Sequence, residues 1–189
     1  MQLGETAGGN ILQEVSATGA YFWEVSGKPV SVLLDYDVVD RLLEQVLRSF
    51  GVVPRRSVEV GGLLLGSVER REGRSIVHIE DFEPVGCQHA HGPSFVLSEE
   101  ERSRFEQSLA QWRAGAGRRT FAVGFYRSHV REGLAPDSAD EEMLARYFPD
   151  PAAVLLLVKP FATRASVGGF FFREEEGLRR DASYLEFPF

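Results

Sequence analysis

Three short segments place ionisable side chains against apolar stretches. They are Glu59-Val60-Gly61-Gly62-Leu63-Leu64-Leu65-Gly66, Val123-Gly124-Phe125-Tyr126-Arg127-Ser128-His129 and Asp137-Ser138-Ala139-Asp140. Carboxylates and imidazoles relay protons and, in sets, hold metal ions. Read singly, each residue also has a plainer explanation. Glu59 fits a solvated strand edge, and His129 fits a histidine satisfied by the backbone. Asp140 fits a first-turn acid favoured by the helix dipole, and Asp137 fits an N-cap. A fourth group, Cys87-x-His89-x-His91, would share one side of a strand and could bind a metal there. The Gly92-Pro93 that follows favours an exposed loop instead.

Elements must position these residues, and the hydrophobic periodicity supplies them. Ala20 to Val25 and Pro29 to Leu34 read as strands separated by a turn at Ser26-Gly27. Val38, Val39, Leu42, Leu43, Val46, Leu47 and Phe50 fall on one face of a helix from Tyr36 to Phe50, with Asp35 as its cap and Gly51 as its stop. Val58 to Val68 reads as a strand whose Gly61, Gly62 and Gly66 imply close backbone approach or a bulge. Ser75 to Phe82 alternates as a strand does, and Ser94 to Leu97 is a further short strand candidate. Ser98 and Glu101 form a capping box that opens a helix to Arg113. Thr120 to Tyr126 reads as an apolar strand and Val130 to Pro136 as a loop. Asp137 or Ser138 caps a short helix through Tyr147, broken by Pro149 and Pro151. Val154 to Lys159 and Ser166 to Arg173 complete the strands. This mixed order implies an α/β sandwich around a largely antiparallel sheet.

With these elements in place, the three segments resemble the MPN (JAMM) family of zinc-dependent isopeptidases and their inactive relatives. The likeness covers roughly Val30 to Arg173. It rests on a Glu shortly before a Gly-rich Leu strand, a Val-Gly-aromatic-Tyr strand ending in a polar triplet with His129, and an acid eleven residues later at Asp140. The resemblance implies an MPN, cytidine-deaminase-like three-layer sandwich around a mixed sheet. It also implies a zinc held by two His and one Asp, a Glu that moves the proton of zinc-bound water, and a Ser that steadies the oxyanion. On that mapping Glu59 is the general base, and His129 and Asp140 are metal ligands.

The sequence departs from the pattern at the points that matter for chemistry. Arg127 stands where the first His belongs, and a protonated guanidinium has no lone pair to give a metal. Asp137 stands at the Ser position, unless the register shifts to Ser138 with Glu141, about 100° further round the helix. Val130 replaces the Pro after the second His. The expectation is that the Arg127 guanidinium lies near the metal position and offsets Glu59 and Asp140. These are the marks of a non-catalytic protein-interaction or scaffold module with a vestigial metal site, in which Arg127 and Ser128 become binding residues and no cofactor is expected. The alternative is a zinc isopeptidase or peptidase acting on ubiquitin-like or other protein tails with a rebuilt ligand set, His89 or His91 replacing the missing ligand. The partner would be a protein: another MPN-like domain, a ubiquitin-like protein or a second copy in a homodimer.

Composition narrows the remaining classes. The chain has 189 residues, 21 Lys plus Arg against 28 Asp plus Glu, and a net charge of −7. Such an acidic chain is poorly suited to a phosphate backbone, so no nucleic-acid partner is expected. One cysteine excludes an internal disulfide framework. No apolar run approaches the roughly 20 residues of a membrane span, and residues 1–10 lack a signal-peptide pattern, so no membrane and a cytoplasmic location are expected. Residues 1–19 read as an arm with a short helix near Ile11 to Val15, 20–176 as the domain and 177–189 as an apolar tail, which docks on its own domain or on a partner. Phe170-Phe171-Phe172 reads as core packing and partner surface, and Arg118-Arg119 and Arg179-Arg180 as solvated turns.

Overall fold

Leu63, Leu64 and Leu65 are consecutive, yet all three are buried. Successive strand residues face opposite ways, so a run like this needs cover on both faces. The computed structural model, which describes residues 19–51 and 57–189, supplies that cover with helices on both sides of one sheet. In chain order the elements are β1 (Ala20–Trp23), β2 (Val30–Asp35), α1 (Tyr36–Gly51), β3 (Gly61–Arg71), β4 (Arg74–Val85), α2 (Glu99–Gln111), β5 (Phe121–Ser128), α3 (Ser138–Tyr147), β6 (Val154–Lys159), β7 (Val167–Glu174), β8 (Gly177–Leu178) and β9 (Glu186–Pro188). The expected arm and its helix near Ile11 lie outside the described residues.

The sheet runs β1-β2-β4-β3-β5-β6-β7-β8, with β9 also on β7. Pairings β2/β4 and β5/β6 are parallel and the other six are antiparallel. The fold is therefore a mixed α/β one with three helices. On one face Val38, Leu42 and Val46 of α1 pack with Leu64, Tyr126, Leu156 and Phe170. On the other, Phe105 and Leu109 of α2 and Leu144 of α3 pack with Leu63, Leu65, Phe125 and Leu155. The sheet also curls. Trp23 Nε1–H of β1 donates to the Leu185 carbonyl at 2.8 Å, and the Tyr21 and Phe187 rings stack at 4.7 Å. The first and last strands thus meet.

Two glycine expectations resolve here. The registers of β3 shift between Leu64 and Leu65 against β5 and between Leu65 and Gly66 against β4, so β3 is bulged. At Gly61 a Cβ would lie 2.7 Å from the Tyr126 carbonyl and 2.8 Å from the Phe95 ring, which leaves room only for glycine.

Two expectations need correction. Ser94 to Leu97 is not a strand, because its backbone donors go elsewhere: Phe95 N–H donates to Glu59 Oε2 at 3.0 Å. Asp35 ends β2, and its carboxylate is engaged by His78 Nε2 at 2.8 Å. The apolar segment 177–189 docks on its own domain, one of the two places expected for it: it carries two short strands, with β9 paired to β7 and Phe187 and Phe189 buried. Among the described residues, no helix is long and apolar enough to cross a membrane.

Candidate functional site

The three segments meet at one end of β5. Gly61 of β3 pairs with Arg127 of β5, which brings Glu59 beside the end of that strand. Phe125 faces α2 and α3, and strand alternation sends Arg127 the same way, toward the start of α3. Asp137 is the N-cap of α3 and Asp140 its third residue, joined in a capping box: Asp137 Oδ1 accepts from Asp140 N–H at 3.1 Å, and Asp140 Oδ2 from Asp137 N–H at 2.8 Å. The helix start therefore holds Asp140 by hydrogen bonds separate from the Arg127 ion pair.

Glu59, Arg127, His129 and Asp140 are 1%, 3%, 5% and 3% exposed. Charges this far from water must be paired and hydrogen-bonded. Arg127 Nε and Nη2 donate to the two carboxylate oxygens of Asp140, each at 2.6 Å. This two-pronged geometry matches the flat guanidinium to the flat carboxylate. Nη1 reaches Glu59 Oε2 at 3.3 Å and His129 Nδ1 at 3.0 Å. A guanidinium only donates, so Nδ1 accepts and the His129 proton sits on Nε2. Nδ1 also stands 3.9 Å from Glu59 Oε1, but without a proton there the two make no ion pair.

Glu59 is held further by the backbone. Its Oε1 accepts from Val130 N–H at 3.2 Å and its Oε2 from Phe95 N–H at 3.0 Å. Burial pulls the Arg127 pKa down, but the Asp140 hydrogen bonds and the charges of Asp140, Glu59 and Asp137 leave it above its usual value. Burial and then the Arg127 charge push His129 below the ordinary histidine value. Burial raises Asp137, but the Arg127 charge, the α3 backbone N–H and Arg131 more than offset it, leaving its carboxyl below the usual range.

A zinc at this place would have to use His129 and Asp140. Both already face the Arg127 guanidinium, and the carboxylate is occupied at both oxygens. A cation that cannot leave its charge behind fills the space between them, so these residues do not fit a metal. Among the described residues, no group of three His, Cys, Asp or Glu is arranged to hold one.

The remaining candidates are placed differently. Ser128 is buried on the opposite face. Its Oγ accepts from Val60 N–H at 2.9 Å and its own N–H donates to the Val60 carbonyl at 2.7 Å, so it stitches β3 to β5. The Cys87-His89-His91 group does not converge. The Cys87 thiol donates to the Val96 carbonyl, and His91 is exposed. His89 Nε2–H donates to the Glu59 carbonyl at 2.6 Å. It adopts φ 55, a left-handed conformation that few residues other than glycine take.

The sequence reading missed the Phe95 and Val130 donors and the His89 bond. It also missed Arg131, whose Nη2 reaches Asp137 Oδ2 at 2.8 Å. Arg131 and Asp137 flank the loop on which they meet, and that spacing was the available signal.

No protein-family model and no curated protein matches the sequence. The fold is similar to the solution structure of a protein from Desulfitobacterium hafniense, with 17% identity over 82% of this chain and 92% of that chain and a TM-score of 0.51. A solution structure from Salinibacter ruber aligns over 76% of this chain and 86% of that one, at 17% identity and a TM-score of 0.39. The N-terminal domain of Trichoplax adhaerens STIL aligns over 76% of this chain and 42% of that one, at 12% identity and a TM-score of 0.40. The first likeness speaks to the fold alone, and the other two carry no argument.

Proposed function

We propose that this chain is a non-catalytic MPN-like domain, a three-layer sandwich that works in the cytoplasm by binding a protein partner, and that Arg127 has turned its metal site into a structural ion cluster. One observation carries the reading: the buried guanidinium that grips both oxygens of Asp140 while touching Glu59 and His129. Its consequences run against hydrolysis. A general base needs a water within reach, but Glu59 is 1% exposed, and both its oxygens accept hydrogen bonds from the protein. A metal needs lone pairs from His129 and Asp140, and both spend them on Arg127. What remains for such a domain is binding, with a second MPN-like domain, a ubiquitin-like protein or another copy of this chain as the partner proposed.

The competing reading, a zinc isopeptidase with a rebuilt ligand set, needs a histidine beside Arg127. His89 is committed to the Glu59 carbonyl.

Elemental analysis of the untagged protein, beside the Arg127→His variant, tests the proposal. The native protein is expected to carry no stoichiometric zinc and to leave a ubiquitin-like C-terminal amide uncut. The variant is expected to take up zinc through the restored ligand set. One zinc per native chain, or cleavage of the tail, would overturn the non-catalytic reading. A folded variant that stays free of zinc would overturn the placement of the vestigial site.

A further inference from the structure

At the opposite end of β5 the molecule opens. A cavity of about 490 Å³ lies between the last turn of α2, the turn after α3, and strands β3 and β5. That volume falls in the range of pockets that enclose small ligands. Val68, Leu109, Phe121 and Val123 contribute apolar surface, and Trp112 and Tyr147 contribute rings. Both rings are held without any ligand. The Trp112 indole N–H donates to the Glu83 carboxylate, and Tyr147 OH donates to Glu106 Oε1 at 3.0 Å. Their polar tips are therefore spent, and they offer the cavity apolar surface at little further cost in side-chain entropy.

The lining carries more positive than negative charge. Arg113 and Arg146 both line the cavity, and Arg113 makes no ion pair among the described residues. The Arg146 side chain is 54% exposed, makes one long ion pair, 3.5 Å, with Glu106, and lies 5.3 Å from the centre of the Tyr147 ring. The lining carboxylate, Asp150, is neutralised by Arg70 Nη2 at 2.5 Å. Arg118 adds a further guanidinium 5.9 Å from the Trp112 ring. In a chain of net charge −7, this is a local excess of cations over an apolar floor.

We propose that this cavity binds a small aromatic or branched apolar carboxylic acid, its body against Trp112 and Tyr147 and its carboxylate between Arg113 and Arg146. The assignment is independent of the non-catalytic reading of the Arg127 cluster. A guanidinium pair recognises a flat carboxylate through paired N–H donors. A single charge is preferred, because a dianion would meet the overall acidity and the nearby Glu106 carboxylate.

Titration with 2-naphthoate, followed by the indole N–H resonances, tests the proposal. The chain has two tryptophans, and they report on different places. Trp112 lines the cavity, while Trp23 is buried in the core with its indole bonded to the Leu185 carbonyl. Saturable binding that shifts Trp112 and leaves Trp23 unmoved is expected. The double variant Arg113→Gln, Arg146→Gln and the neutral analogue 2-naphthalenemethanol should each bind about tenfold more weakly. Both arginines are exposed, so the variant should unfold at the native temperature, which separates lost binding from lost folding. Absence of saturable binding would overturn the proposal. So would equal shifts at Trp23 and Trp112, or equal affinity for acid and alcohol, or for native and variant protein.

Discussion

The two ends of β5 meet water in opposite ways. At its C-terminal end Arg127 is buried, and its Nε and terminal nitrogens all find partners in Asp140, Glu59, His129 and the more distant Asp137. At its N-terminal end Phe121 and Val123 border an open cavity where Arg113 has no partner among the described residues. Helix α3 brackets both, with Asp140 in its first turn and Tyr147 in its last. The same strand and helix thus build one site whose chemistry is spent internally and another whose chemistry is left unspent. A satisfied buried cluster holds structure, whereas exposed, unsatisfied charge over apolar surface has something to offer a ligand.

Breaking the buried end should give the largest effect. Asp140→Ala strands a desolvated guanidinium and unmakes the capping box, so a loss of about 3–5 kcal/mol is expected in urea unfolding. Neutralising the cluster together, Arg127→Met with Asp140→Leu and Glu59→Gln, should recover part of that loss, because no buried charge is then left without a partner although the capping box stays broken. A triple variant as unstable as Asp140→Ala would mean that the cap and the ion cluster itself, rather than a stranded charge, carry the stability.

Acid should weaken the same end. The folded-state pKa of His129 lies below its ordinary value of 6.5. Below about pH 6.5 the unfolded chain therefore binds a proton that the folded chain refuses. Stability is expected to fall as pH drops from 6.5 toward the folded value, and then to level off for this residue. His129→Gln should flatten that stretch of the unfolding-midpoint profile. Asp137, whose folded pKa lies below its ordinary 3.8, keeps its contribution above that pH and loses it as pH falls through the folded value.

A smaller effect is expected from Asp137→Ala. It removes the N-cap of α3 and the half-exposed partner of Arg131 but leaves Asp140 on Arg127, so about 1 kcal/mol should be lost in thermal or urea unfolding. The smallest effect belongs to the open end. Arg113→Ala should change stability by less than about 0.5 kcal/mol, since nothing in the fold depends on that side chain. A destabilisation near that of Asp140→Ala would erase the contrast between the two ends.

Much of this was legible where the cause is local. Ser98 and Glu101 announced a capping box, and it forms: Ser98 Oγ accepts from Glu101 N–H at 3.3 Å, and Glu101 Oε2 from Ser98 N–H at 2.7 Å. Asp137 and Asp140 form another at the same spacing. Helix α1 followed from its apolar stripe, and the glycines of β3 marked a real bulge. The short strand expected at Ser94 to Leu97 failed because Phe95 N–H found a carboxylate 36 residues away. Strands β8 and β9 were missed because they are two and three residues long and gain their stability from β7.

The sequence by itself determined which residues could take part: a cation at Arg127, acids at Glu59, Asp137 and Asp140, and an imidazole at His129. It also determined the local frames that hold them, because caps, stripes and turns depend on neighbours within a few positions. Only the tertiary structure decided that Arg127 would face inward, that Asp140 would meet it with both oxygens, and that Phe95 and Val130 would close over Glu59. It alone left a cavity at the far end of the same strand. Pairings between residues far apart in the chain are chosen by the packing of whole elements, and burial then makes each unpaired charge too costly to leave alone.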